Sequence, residues 1–191
     1  MSCNAPTVVV IGDRNTGKTT AILQYVLGMC DESKLLPTIE DVYRKPMANK
    51  KILEIIDTAG KESTFAVMRD LYKNSAKGFM IFYAVNSISS WQRMMREFTD
   101  LKMSKDSADK PIVIVGTYVK EQRKVTKEQL EAFGATNQVR FFEIDLKKKK
   151  EISAAFDYIV AQMELHMFKG EEEGGEGGEE KSSLFKRCFC F

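Results

Sequence analysis

Residues 12–19 read Gly-Asp-Arg-Asn-Thr-Gly-Lys-Thr, a glycine-bounded octet of the form G-x-x-x-x-G-K-[ST]. Its surroundings leave little choice of fold. Thr7 to Ile11 before it is a β-branched run, and Lys18 to Leu27 after it carries Ile22, Leu23, Val26 and Leu27 at helical spacing. Strand, loop and helix in this order let successive backbone N–H groups curl around an anion at the positive end of a helix. Gly12, Asp13, Arg14, Asn15, Thr16 and Gly17 then form a phosphate cradle, Lys18 reaches the outer phosphates, and the Thr19 hydroxyl ligates Mg²⁺. A plain glycine turn before an ordinary helix is the unremarkable alternative.

Further along, Val42 to Lys45 and Lys51 to Ile56 flank Pro46 to Lys50 as a hairpin. The proline cannot donate to a ladder, so the first of these strands belongs at a sheet edge. The runs Gly78 to Ala84, Ile112 to Gly116 and Arg140 to Ile144 lack alternation, as expected of parallel strands covered on both faces. Ser89-Ser90-Trp91-Gln92 has capping-box spacing and predicts a helix from there to about Met103. Ile152, Ala155, Phe156, Ile159, Met163 and Met167 recur at steps of three and four, the stripe of a long helix that closes the core. Strands alternating with helices imply an α/β domain with a single parallel sheet and helices on both faces.

The apolar fraction of 43% over 191 residues is enough for one such domain, and a net charge of +2 with mixed signs gives no footprint for nucleic acid. Cys3, Cys30, Cys188 and Cys190 are not spaced as a disulfide framework and suit a reducing compartment. Neither a secretion signal nor an apolar run long enough to span a bilayer is present, so membrane contact would need a lipid. Lys147 to Lys150 reads as a solvated face, and His166 and Trp91 as packing residues. With one histidine in the chain, no Ser–His–Asp, Cys–His or zinc arrangement can be assembled.

Two further segments choose among phosphate-loop proteins. Leu36-Pro37-Thr38-Ile39-Glu40-Asp41-Val42-Tyr43-Arg44-Lys45 resembles the switch I and effector segment of Ras and Rap proteins, and Ile56-Asp57-Thr58-Ala59-Gly60 resembles their switch II entry. The likeness continues through Met68-Arg69-Asp70-Leu71-Tyr72 and Gly78-Phe79 and weakens after Gly116. The Ras family of small GTPases is the resemblance, and it implies a six-stranded, mainly parallel sheet with one antiparallel edge strand. It also implies GTP/GDP and Mg²⁺ as ligands, with Thr38 on the metal and γ-phosphate, Asp57 on the metal through water, and the Gly60 N–H on the γ-phosphate. Ile39, Glu40, Asp41 and Tyr43 would face an effector protein, and loss of the γ-phosphate would relax both switches. A solvated, charge-protected edge is the plain account of those four residues.

Departures from the family pattern are concentrated at the reacting phosphate and the base. Lys61 stands where the family has the glutamine that orients water, and Arg14 where a small glycine lets a partner's arginine finger enter. Slow hydrolysis is expected, with the option that Arg14 or Lys61 itself stabilises phosphate charge. Thr117-Tyr118-Val119-Lys120 replaces Asn-Lys-x-Asp, so the guanine-reading carboxylate is gone, and Asp145-Leu146-Lys147 replaces Ser-Ala-Lys, keeping Lys147 alone. The aromatic beside the base becomes Met29 or Cys30. These losses amount to several kcal/mol, on the order of a hundredfold to ten-thousandfold in affinity if uncompensated. Lys120 and Asp145 are expected to pair across the base pocket. A base preference relaxed toward adenine is also open.

Cys188-Phe189-Cys190-Phe191 ends the chain in C-a-a-X register, and the final phenylalanine favours geranylgeranylation of Cys188. The sequence therefore divides into a Ras-like domain over 1–169, a disordered linker over 170–187 and a prenylation tail over 188–191. Lys181, Lys186 and Arg187 follow a run of glutamates, a weak second membrane signal. Residence on the cytoplasmic face of a plasma membrane or endomembrane is expected. Three functions follow in order: a membrane-tethered GTP-binding switch, a pseudo-GTPase docking module without nucleotide cycling, and a P-loop ATPase or kinase.

Overall fold

The computed structural model describes residues 5–28, 38–60, 71–118 and 122–172. The first strand and helix come where the β-branched run and the glycine loop require them: β1 is Thr7–Gly12 and α1 is Lys18–Val26. A hairpin follows, β2 at Glu40–Pro46 and β3 at Ile52–Thr58, then β4 at Gly78–Ala84 and α2 at Ile88–Met103. The chain continues through β5 (Ile112–Tyr118), α3 (Lys127–Asn137), β6 (Arg140–Asp145) and α4 (Lys149–Glu172). Residues 71–75 form a further helical stretch ahead of β4.

The strands lie in the order β2-β3-β1-β4-β5-β6, with β2 antiparallel to β3 and every other pair parallel. Ladder register sets Val10 opposite Asp57 and Gly12 opposite Phe82, so the loop after β1 and the end of β3 emerge side by side. Ligand sites of open α/β sheets lie at this carboxyl edge of the strands. All residues of β1 and β4 are buried, which is why neither shows alternation. Every residue of the edge strand β2 is exposed or half-buried, and Pro46 ends it opposite Ile52.

Alternate strand residues feed two cores. Val8, Val10, Met80, Phe82, Val113 and Val115 pack under α1 and α4, and Val9, Ile11, Phe79, Ile81, Ile112 and Ile114 pack under α2 and α3. In the first core Phe156 stacks on Tyr25 with ring centroids 4.4 Å apart. Truncating it to alanine would cost about 3–5 kcal/mol. In the second, Trp91 meets Tyr83 and Phe133 edge-on, so its role is packing.

Two expectations are corrected. Helix α2 is capped by Ser87, whose side chain accepts from the Ser90 N–H, and not by Ser89. Ser90 is buried, bonding both the N–H and the carbonyl of Ala84, and this contact with β4 sets the helix start. A full capping box forms instead between Thr126 and Gln129. Strand β6 is the other edge of the sheet and, Ile144 apart, is only partly buried, so its apolar run did not mark cover on both faces. Helix α4 runs to Glu172.

Candidate functional site

The loop after β1 turns sharply because Gly12 takes φ 146°, and a Cβ there would stand 2.4 Å from the Phe82 carbonyl oxygen. Only glycine lets the strand end pass so close to β4. Beyond it the loop folds back on itself. Thr16 Oγ1 donates to the Asp13 carbonyl at 2.8 Å, and Lys18 Nζ donates to the carbonyls of Gly12 and Asp13 at 3.1 and 2.8 Å. With its carbonyls engaged this way, the loop fits an anion cradle at the start of α1. Lys18 is 6% exposed, and burial, opposed by Asp57, brings its ammonium down to about 8. A phosphate beside it would restore the ordinary value.

Next to Lys18 stand the oxygens expected on the metal. Thr19 Oγ1 donates to Asp57 Oδ2 at 2.6 Å and lies 3.0 Å from Thr38 Oγ1, which itself lies 3.5 Å from the same carboxylate oxygen. Asp57 is fully buried, and among the described residues its second oxygen, Oδ1, has no hydrogen-bond partner. Burial pushes its carboxyl up to about 6, against the pull of Thr19 and Lys18. A buried carboxylate with one bare oxygen beside two hydroxyls is a hard oxygen set of the kind that suits Mg²⁺. A divalent cation there would reverse the upward shift.

The expected effector residues lie along the free edge. Ile39 is 78% exposed and Val42 47%, while Glu40 accepts from the hydroxyl of buried Tyr72 and Tyr43 is half-buried. Asp41, paired with Asp57 within β2, is exposed. Arg44 pairs across the hairpin with Glu54 at 2.9 Å, and Lys45 lies over the Tyr25 ring. The edge is thus tied to the domain at Glu40, Arg44 and Lys45 and open between them.

A model of the Ras family matches residues 7–165. The chain is also 34% identical to the Ras-related protein R-Ras of Homo sapiens over 158 residues, 80% of this chain and 72% of that protein. The R-Ras proteins of Mus musculus and Rattus norvegicus are each 33% identical over the same share. The chain belongs to the Ras family. Ras-family small GTPases act as signalling switches that bind guanine nucleotide, generally with Mg²⁺, and bind effectors.

The base end of this Ras-family chain is built differently from its phosphate end. Thr117 turns its hydroxyl to the Tyr83 carbonyl at 3.2 Å, and Leu146 lies so close to the loop that a Cβ on Gly17 would stand 2.6 Å from its Cδ1. The Lys147 N–H donates to the Asp145 carboxylate at 2.9 Å. Thr117, Leu146 and Asp145 therefore spend their groups on the protein itself. Arg123 makes a two-pronged pair with Glu143 at 2.8 and 2.6 Å and lies over the exposed Tyr118 ring. Lys120, Met29, Cys30, Lys61 and the tail with Cys188 lie outside the described residues. The expected pairing of Lys120 with Asp145 involves one of these residues and so lies outside the described residues too.

Sequence reasoning missed Arg93. This α2 residue is 5% exposed, and its Nη1 donates to the Gly60 carbonyl at 2.5 Å and to Asp13 Oδ1 at 3.2 Å. Among the described residues its Nε forms no hydrogen bond but lies 3.5 Å from a carboxylate oxygen of buried Glu97. The readable signal was a charged i,i+4 pair within the stripe formed by Trp91, Met94, Phe98 and Leu101. His166, read as a packing residue, lies 3.5 Å from Asp109.

Proposed function

We propose that this chain is a Ras-type switch that grips di- and triphosphate nucleotides with Mg²⁺ but reads the base loosely and hydrolyses slowly. The observation that carries the reading is the buried Asp57 carboxylate, with its bare oxygen, held against Thr19 and Thr38 beside Lys18. Mg²⁺ would supply charge neutralisation between the phosphates and Asp57. Thr19 and Thr38 would offer it hydroxyls, Asp57 would hold it through water, and Lys18 would give N–H donors to the outer phosphates. Because Thr38 lies two residues before the edge strand, its contact with the metal and γ-phosphate would order Ile39, Glu40, Asp41 and Tyr43 for an effector.

Two residues would slow the chemistry. Lys61 has no acceptor with which to orient a water, and Arg14 starts its side chain where a partner's arginine would enter. A Cβ on Gly60 would lie 2.7 Å from Arg14 Cγ, so that side chain begins against the Gly60 backbone. At the base, each lost charge-assisted bond removes about 1.5–3 kcal/mol of guanine preference. Cys188, if prenylated, would tether the chain. Among the described residues no helix is long and apolar enough to cross a membrane.

The second reading, a docking module without nucleotide cycling, is favoured by Leu146 and Thr117 closing over Gly17. Mass spectrometry of nucleotide co-purifying with the protein separates the two. Bound GTP or GDP supports the switch, and a chain that carries none and binds none supports the module. Co-purifying ATP would point to an altered base preference or to the ATPase. For the anchor, a Cys188→Ser variant should leave the membrane fraction, and unchanged recovery there would discard prenylation.

A further inference from the structure

Arg93 joins three elements that a nucleotide switch must move relative to one another. It projects from α2, a helix fixed by its Ser87 cap and by buried Trp91, Met94 and Phe98. Its guanidinium reaches the carbonyl of Gly60, where the chain leaves β3 for switch II, and the carboxylate of Asp13 in the phosphate loop. The same Asp13 oxygen accepts the Arg14 N–H at 2.8 Å. Gly60 in turn lies against Arg14, since a Cβ on it would stand 2.6 Å from both the Cα and the N of that residue.

We propose that Arg93 is a positioning residue that holds the start of switch II closed against the phosphate loop whether or not a γ-phosphate is present. A guanidinium this buried is stable only while its partners stay in place, because leaving it unpaired strands a desolvated charge. Opening at Gly60 strips it of its shortest hydrogen bond. A ligand shifts a conformational equilibrium only by its differential affinity for the two states. Where the protein itself supplies the closing contact, the γ-phosphate has less left to supply. In this chain, then, nucleotide state is reported mainly at Thr38 and the edge strand, and Gly60 stays fixed. The proposal concerns the regulation of the site assigned above and rests on that reading for its nucleotide dependence.

Backbone ¹⁵N relaxation on the full chain tests it, without nucleotide, with GDP and Mg²⁺, and with a non-hydrolysable GTP analogue and Mg²⁺. The Gly60 amide should keep an order parameter of about 0.85 in all three states. Arg93→Ala should drop it below about 0.6 without nucleotide and with GDP, and the triphosphate should restore it. Arg93→Lys, which keeps the charge and a donor, should recover most of the rigidity. Order parameters of β4 amides, unchanged throughout, show that each variant is folded. A wild-type Gly60 that is flexible with GDP overturns the proposal, and so does an Arg93→Ala variant whose Gly60 matches wild type. If the Lys18 and Thr19 amides fail to shift with either nucleotide in any variant, the nucleotide reading fails instead. The nucleotide-free comparison still judges Arg93.

Discussion

The two ends of the site differ in what their polar groups are doing. At the phosphate end, among the described residues, Asp57 keeps an oxygen without a hydrogen-bond partner and the Lys18 ammonium bonds the carbonyls of Gly12 and Asp13, an arrangement suited to ions from outside. At the base end, Thr117, Asp145 and the Lys147 N–H are already bonded within the protein, and Leu146 covers the loop. Groups left unsatisfied at a cost in stability point to a ligand, whereas groups satisfied internally do not. The contrast separates gripping a nucleotide from recognising which one it is.

The largest effect should come from restoring the family's residues around the reacting phosphate. Arg14→Gly combined with Lys61→Gln should raise turnover stimulated by a Ras-type activating protein by on the order of 10³. Stimulated hydrolysis that is already fast in the unmodified chain would show that neither residue impedes it. Next, Lys18→Ala should weaken binding of GDP and GTP alike by about a hundredfold or more, through lost charge-assisted bonds. Equal binding by that variant would mean the loop does not hold the phosphates.

Sharpening the contrast at the other end calls for Thr117→Asn with Lys120→Asp. The pair should raise the ratio of guanine to adenine affinity by about tenfold to a hundredfold, measured by competition with a fluorescent nucleotide. No gain would place the obstacle in Leu146 instead.

The smallest effect is a pH dependence. Because burial holds the Asp57 carboxyl near 6, the folded metal-free chain binds more protons than the unfolded chain between about pH 4 and 6. Its stability should therefore fall as pH rises through that window. Mg²⁺ needs the ionised carboxylate, so its affinity should drop up to about tenfold per pH unit below 6. Asp57→Asn should raise the melting temperature of the metal-free chain at pH 7.5 and abolish the Mg²⁺-dependent increase. A metal-free variant less stable than the parent would contradict the strain assigned to Asp57.

The phosphate end was legible in sequence because its chemistry is local. A strand, eight residues and a helix fix where Gly12 to Thr19 lie, and the Pro46 hairpin placed β2 at an edge by the same local logic. What stayed hidden depends on contacts distant in sequence. Ser89 carried the capping-box spacing, yet Ser87 caps the helix, because the buried bond of Ser90 to Ala84 sets where it starts. Arg140 to Ile144 read like an interior strand, yet its place in the order makes it an edge. Arg93 reaches Asp13 and Gly60 across the fold, and only the packing of α2 on the sheet brings them together.

Direct titration of GDP, GTP and ATP into nucleotide-free protein in millimolar Mg²⁺ bears most directly on whether the Lys18, Thr19, Thr38 and Asp57 cradle works while base reading is lost. The expected result is Mg²⁺-dependent binding of all three, with guanine favoured over adenine by no more than about tenfold, roughly 1.4 kcal/mol. No binding of any of them would contradict the cradle. A guanine preference above about 10³-fold would contradict the lost base reading.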